Sequence, residues 1–192
     1  MSDDLNLPLS GVRVLDLTTI LFGPYATQIL GDFGADVIKI EAPGGDPIRY
    51  LGPARNSGMG ALFLGANRNK RSIMLDLKRA EGCDALWRLM DEADMFVHNV
   101  RPHKILSLGF GPDEVLRRCP GIIYGGLHGY QEDGPYGGRP AYDDVIQGAS
   151  GIAGLFLERD GEPQLVPSVI ADKSAALMAS SGLIAAYVKR LR

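Results

Sequence analysis

The sequence predicts an α/β domain built on an open, mostly parallel sheet with helices on both faces, and three observations point to it. Apolar runs of strand length alternate with segments whose apolar residues recur at helical spacing. The joints between them carry Gly, Pro and polar residues. The first strand–helix–strand set fits into about 30 residues, the size of a βαβ unit, which brings parallel strands and a right-handed crossover.

The elements follow in order. Residues 11–18, GVRVLDLT, give the first strand. Pro24 suits the first position of a helix, where no N–H is needed. Tyr25, Ala26, Ile29, Leu30 and Phe33 then repeat at helical spacing, and Gly34 stands where a C-terminal cap takes positive φ. Residues 35–41, ADVIKIE, give a second, buried strand. Past a Gly/Pro-rich loop over 43–60, residues 72–75 give the third. A helix over about 79–92 puts Cys83, Leu86, Trp87 and Met90 on one face. Residues 95–98 are the fourth strand, Pro112 opens a helix running to 118, and 121–127 are the fifth strand. Residues 129–141, GYQEDGPYGGRPA, form a loop, and a helix starts at Tyr142, Asp143 and Asp144. Asp160 and Gly161 suit a hairpin turn between two short extended runs. A last helix over 173–191 ends in Lys189, Arg190 and Arg192, cations that complement a helix C-terminus. No repeat or linker interrupts this pattern, so residues 1–192 read as one domain.

Composition narrows the function. With 45% apolar and 22% charged residues in 192, the chain is globular rather than disordered, collagenous or held by disulfides. Twenty Lys and Arg against 23 Asp and Glu leave a net charge of −3, with no global attraction to nucleic acid or an anionic membrane. An anionic ligand therefore needs a local site. Cys83 and Cys119 lack CxxC spacing, and His98, His103 and His128 show no metal-ligand pattern, so reduced thiols, no metal and a cytoplasmic location are expected. The start, MSDDLNLP, lacks the positive region and apolar run of a secretory signal. Residues 175–188, interrupted by Ser180, Ser181 and Gly182, fall short of the roughly 20 apolar residues that span a bilayer.

In open α/β sheets the ligand lies beyond the carboxyl ends of the strands. That points to loops 19–23, 76–79, 99–103 and 127–142. The first of these, TTILFGP, has one glycine and no GxGxxG, which disfavours a nicotinamide dinucleotide. A helix starting at Tyr25 can face a phosphate or oxyanion there, or simply follow an ordinary turn. Arg68, Lys70, Arg71, Lys78 and Arg79 form a cluster that either clamps phosphates or lies along a solvated rim. His128 offers an acid or base near neutral pH, with no partner evident. Asp172 precedes the last helix and has two readings: an N-cap, or a carboxylate nucleophile toward an activated acyl group. Tyr142 and Asp143 suit orientation of a substrate, while an N-cap is the simpler reading of Asp143.

Six blocks together change the weight of these readings: PLSGVRVLDLT, GPYATQILGDFGADVIKIEAPGGDPIR, NRNKRSIMLDLK, FVHNVRP, GYQEDGPYGGRPAYDDVIQGASG and SVIAD. In this order, from about residue 8 to the end, the chain resembles the class III CoA-transferase family. The resemblance implies the N-terminal part of a Rossmann-like large domain that takes coenzyme A, as an acyl-CoA substrate, and a carboxylic acid, with no metal. It places the catalytic aspartate at Asp172, which in the family attacks the thioester and passes through an aspartyl-CoA intermediate. It puts Tyr142 where the racemase branch has histidine and the transferase branch tyrosine, with Asp143 beside it, both positioning the acyl group. A phenol is a poor α-proton base near neutral pH, which favours transferase over the alternative, an acyl-CoA racemase or isomerase.

The same resemblance assigns CoA contacts to Leu21 and Phe22, to Leu75, Asp76, Leu77 and Lys78, and to Asn99, Val100 and Arg101, with Lys78 and Arg101 near the phosphates. Leu21 stands where the formyl-CoA branch has glutamine, Ala42 replaces an arginine, and Ser107 replaces a basic residue. Family members run on into a GRGQ segment, a small domain and a returning segment, and form interlocked dimers. The implied chain is therefore a partial enzyme that works as a homodimer or with a separately encoded second half; a catalytically silent CoA-binding or partner-binding fragment is the other outcome. Exposed apolar surface is expected on the last helix at Leu177, Leu183, Ile184 and Tyr187.

Overall fold

The apolar alternation of the first block becomes strand β1 (Arg13–Leu17). It is joined by β2 (Asp36–Glu41), β3 (Lys70–Met74), β4 (Met95–His98) and β5 (Ile123–Gly126). These strands make one sheet in the order β3-β2-β1-β4-β5 in a computed structural model, which describes residues 7–192 apart from the side chain of Glu158. Residues 1–6, where most of the acidic start lies, are outside the described residues. Every pairing is parallel, with Leu15 opposite Ile38 on one side and Phe96 on the other. The chain builds outward from β1 to β3 and then returns to lay β4 on the opposite flank of β1. The order therefore reverses between β1 and β4, and a crevice opens at their carboxyl ends.

The helices are α1 (Phe22–Asp32), α2 (Ala61–Ala66), α3 (Ala80–Met90), α4 (Pro102–Ser107), α5 (Pro112–Arg118), α6 (Asp143–Ala149), α7 (Leu157–Asp160) and α8 (Ile170–Leu191). Strand alternation sorts the core into two layers. Leu15, Ile38, Ile40 and Phe96 meet Leu86 and Met90 of α3, Ile105 of α4 and Val115 of α5. Val14, Val37, Met95 and Val97 meet Leu30 of α1 and Leu183 of α8. Both faces of the sheet are thus covered, as the buried, uninterrupted β2 and β4 runs require.

The ends of α1 show how local chemistry sets the boundaries. It begins at Phe22, so Pro24 is its third residue, still within the turn whose N–H groups have no intrahelical acceptor. It closes at Gly34, φ +99°, whose N–H reaches Gly31 O (3.0 Å) while Ala35 N–H reaches Leu30 O (3.1 Å), the paired bonds of a Schellman motif. A Cβ on Gly34 would lie 2.5 Å from that of Leu7.

Several expectations are corrected. Asp160–Gly161 is not a hairpin turn: a 3₁₀ segment, Ile152–Phe156, leads into α7, and Gly161, φ +78°, caps that helix. A glycine with positive φ serves a helix end as well as a hairpin, and LFLE has no polar alternation to make a strand. The third strand starts at Lys70, earlier than expected, because its polar side chain is buried and satisfied. Two six-residue helices, α2 and α4, are elements the sequence did not predict. On α8, Leu183 is buried and Ile184 and Tyr187 pack beside it, since the small buried residues Ala176 and Ser180 let the helix lie close to α1. Of the four residues expected on the surface there, Leu177 is exposed, alongside Met178, Val188 and Leu191. No helix among the described residues is long and apolar enough to cross a membrane.

Candidate functional site

Beneath the crevice, buried charges fix the loop after β1. Asp16 is fully buried and accepts from Thr18 Oγ1, from Thr27 Oγ1 (2.8 Å) and from Lys70 Nζ (2.8 Å). Lys70 Nζ also donates to Pro24 O, Thr27 Oγ1 and Asn67 Oδ1. Burial works to deprotonate Lys70 and to protonate Asp16; the facing charges oppose both, and the Asp16 carboxyl is held below its ordinary range. A second buried pair, Lys39 Nζ and Asp46 Oδ2 at 2.9 Å, also ties down Thr18 O (2.8 Å). Asp46 Oδ1 takes the N–H of Ile20 (3.2 Å), a β-branched residue held at φ +69°. Such a backbone costs on the order of 1–3 kcal/mol, and this network holds it in place.

Asn99 then joins the two sides of the crevice. Its Oδ1 accepts from Thr19 N–H (2.9 Å) and its Nδ2 donates to Thr19 O (2.8 Å), pinning the loop after β4 to the loop after β1. The cationic cluster is Arg68, Lys70, Arg71, Lys78 and Arg79. Arg68 pairs with Asp32, Lys70 with Asp16, Arg71 with Asp36 and Arg79 with Glu81, so four of these five cations face carboxylates of the chain itself.

A cavity of about 390 Å³ opens at the crevice. Leu21 and Phe22 at the start of α1, Asn99 and Arg101 after β4, His128 after β5, Tyr142 before α6 and Asp172 on α8 all line it. The structure thus gathers elements far apart in sequence. Val100 and Asp143 stand outside this lining, and so do Leu75, Asp76, Leu77 and Lys78, which follow β3 beyond the intervening β2. Leu75 and Leu77 pack on the core, and Asp76 Oδ1 accepts from Lys78 N–H (3.1 Å).

Asp172 is not an N-cap. The last helix starts at Ile170, earlier than expected, which makes Asp172 its third residue; the cap is Val169, with no side-chain cap bond. The Asp172 N–H instead donates to Asp143 Oδ1 (2.9 Å). Nor does Asp143 cap its own helix, where Tyr142 is the cap and Asp143 the first residue. The Asp143 carboxylate caps no N–H of its own helix; its Oδ1 supplies α8. Burial, and next the Asp143 charge, push the Asp172 carboxyl up to about 6.

Gln147 went unnoticed in the sequence. It is buried, with Nε2 donating to Asp143 Oδ2 (2.6 Å) and Ser168 O (3.1 Å) and Oε1 accepting from Val166 N–H (2.8 Å). Its one sequence signal is the i, i+4 spacing from Asp143 on a helix. His128 gains neighbours that sequence could not supply: Glu132 Oε1 lies 3.7 Å from its Nε2, and the ring of His98 packs against it edge-on, 5.7 Å between centroids. His98 Nε2 is 2.7 Å from Tyr124 OH, which also lies 3.0 Å from Phe110 O. Burial, and then His128, lower His98 to about 4.

Comparison with known proteins agrees with this architecture. A model of CoA-transferase family III matches residues 9–192. Succinyl-CoA:glutarate CoA-transferase of Mus musculus is 38% identical over 186 residues, covering 96% of this chain and 43% of that protein. Formyl-CoA:oxalate CoA-transferase of Escherichia coli is 38% identical over 187 residues, 97% of this chain and 45% of its own. The crystal structure of a CAIB/BAIF family protein from Brucella suis superposes with a TM-score of 0.92 at 37% identity, covering 97% of this chain and 50% of that one. The chain thus spans about half the length of the relatives it matches.

Proposed function

The chain belongs to CoA-transferase family III, and on that premise we propose that it supplies the CoA-binding crevice and the nucleophile for moving CoA from an acyl-CoA thioester to a carboxylic acid. The carrying observation is Asp172, a carboxyl at the cavity wall with its proton affinity raised to about 6. Above that pH it is ionised, and its raised basicity makes it a better nucleophile than an ordinary aspartate. An Asp172 oxygen attacks the thioester carbonyl, the C–S bond breaks, and CoA thiolate leaves a mixed anhydride. The thiolate then attacks the aspartyl carbonyl, releasing the donor acid as carboxylate and leaving aspartyl-CoA. An acceptor carboxylate attacks that thioester, and the thiolate attacks the new acyl carbonyl, regenerating Asp172.

Leu21, Phe22, Asn99 and Arg101 border the same cavity and suit CoA, with the Arg101 guanidinium available to a phosphate. Val100 and residues 75–78, Lys78 among them, are proposed as more distant CoA contacts along the same edge of the sheet. Tyr142, largely exposed in the cavity wall, suits the acyl group, and Asp143 suits positioning of Asp172. The proposed partners are an acyl-CoA, an acceptor acid and a second copy of the chain. The proposed setting is the cytoplasm, where the free Cys83 and Cys119 stay reduced.

Native mass spectrometry after incubation with a pool of acyl-CoA thioesters tests this. A CoA-sized covalent adduct, absent from Asp172→Ala, is expected. Reversible CoA binding with no adduct in the wild type leaves a binding half alone. Exchange of an α-proton in deuterated water without transfer marks a racemase.

A further inference from the structure

The first turn of α8 has no cap of its own. Its N-cap, Val169, offers no side-chain acceptor, and Asp172 at the third position has an N–H that no earlier turn can satisfy. Asp143 of α6 fills that role with Oδ1, while Oδ2 takes the Gln147 amide. Gln147 in turn holds two polar groups of the strap entering α8, the Val166 N–H and the Ser168 carbonyl. A buried position that needed only volume would be served by an apolar side chain, because a buried amide is costly unless its partners are in place. Here both ends of the amide are used, and each partner adjoins the turn that carries Asp172.

We propose that Gln147 is a positioning residue for Asp172, clamping Asp143 and the 166–168 strap against the first turn of α8 and so fixing the carboxyl at the cavity wall. The clamp rests on the reading of Asp172 as nucleophile for its purpose, and on hydrogen bonds alone for its existence. Without Gln147, the Asp143 carboxylate is released, the strap loses two bonds, and Asp172 loses both the acceptor for its amide and the fixed negative neighbour.

The test is Gln147→Met in the full chain, a change that keeps the volume and removes donor and acceptor. Amide hydrogen exchange at Asp172 is expected to accelerate tenfold or more, and the ¹³C titration midpoint of its carboxyl to fall from about 6 toward the ordinary aspartate range. Exchange of the β4 amides stays as in the wild type, which separates release of the clamp from unfolding. Should the Met variant fail to fold, Gln147→Glu at pH 8 keeps the side-chain length and an acceptor for Val166 N–H but presents a carboxylate to Asp143, and the faster exchange of the Asp172 amide is the readout expected there. Wild-type exchange and midpoint at Asp172 in a folded variant overturn the proposal. Where the wild type forms the acyl-CoA adduct, its formation slows at least tenfold in the variant and its pH profile moves with the Asp172 midpoint; an unchanged rate and profile also overturn it. The magnetic-resonance readouts need no acyl-CoA, so absence of an adduct in the wild type counts against the nucleophile reading and leaves the clamp to be judged on exchange and titration.

Discussion

At Asp172, position in a helix and chemistry pull in opposite directions. A carboxylate in the first turn of a helix is ordinarily favoured by the dipole, yet here burial and the Asp143 charge outweigh it and raise the proton affinity to about 6. The sign for stability follows. Between the unfolded value near 3.8 and about 6, the folded protein holds a proton that the unfolded chain releases, so this group lowers stability as pH rises through that window. Asp172→Asn, which stays neutral, should therefore be more stable than the wild type at pH 8, by about 1 kcal/mol once solvent screening of a half-buried group is allowed for, and equal to it near pH 4. Urea titrations at the two pH values measure it. A variant no more stable at pH 8 would mean that the ionised carboxyl is solvated well enough to cost nothing.

At the level of elements, the β1–α1 and β3 segments are joined by charge as much as by strand pairing. Lys70 opens β3, and its ammonium sits between Asp16 of β1 and the first turn of α1. Removing one member of a buried pair strands the other, at about 3–5 kcal/mol. Lys70→Met should lose that much in chemical denaturation, and Asp16→Asn added to it should recover part of the loss, because a neutral amide no longer needs a counter-charge. A loss under about 1 kcal/mol would show that Thr18 and Thr27 satisfy Asp16 by themselves. The same residue explains what sequence could and could not show. Strands rich in apolar residues, β1, β2 and β4, were legible, as were the α1 end at Gly34 and the α3 face of Leu86 and Met90. Lys70 and Arg71 read as a solvated or phosphate-binding rim because their partners, Asp16 and Asp36, are distant in sequence. The start of α8 was misjudged because SVIAD carries Asp172 where a cap would stand, while the true acceptor, Asp143, lies on another helix. The cavity was legible as a set of loops, but that Asn99 pins Thr19 and that Gln147 holds Asp143 are facts of packing.

For the molecule as a whole, the sheet is covered on both faces, but α8 is covered on one side only. Leu177, Val188 and Leu191 are exposed, and their spacing is near whole turns, so they share a face of the helix. Met178 beside them is 73% exposed, and Val145 of α6 and Leu155 also lie open. Exposed apolar side chains grouped on one helix face draw either dye or a neighbouring chain. The chain in solution is therefore expected to enhance the fluorescence of an apolar-surface dye and to sediment with concentration-dependent mass. Leu177→Glu with Met178→Glu should weaken both effects while changing unfolding stability by no more than about 0.5 kcal/mol, since neither side chain is part of the core. A wild-type chain that stays monomeric at every concentration and leaves the dye dark would remove the argument that this face of α8 is built to be covered, and with it the physical support for a second copy seated on it.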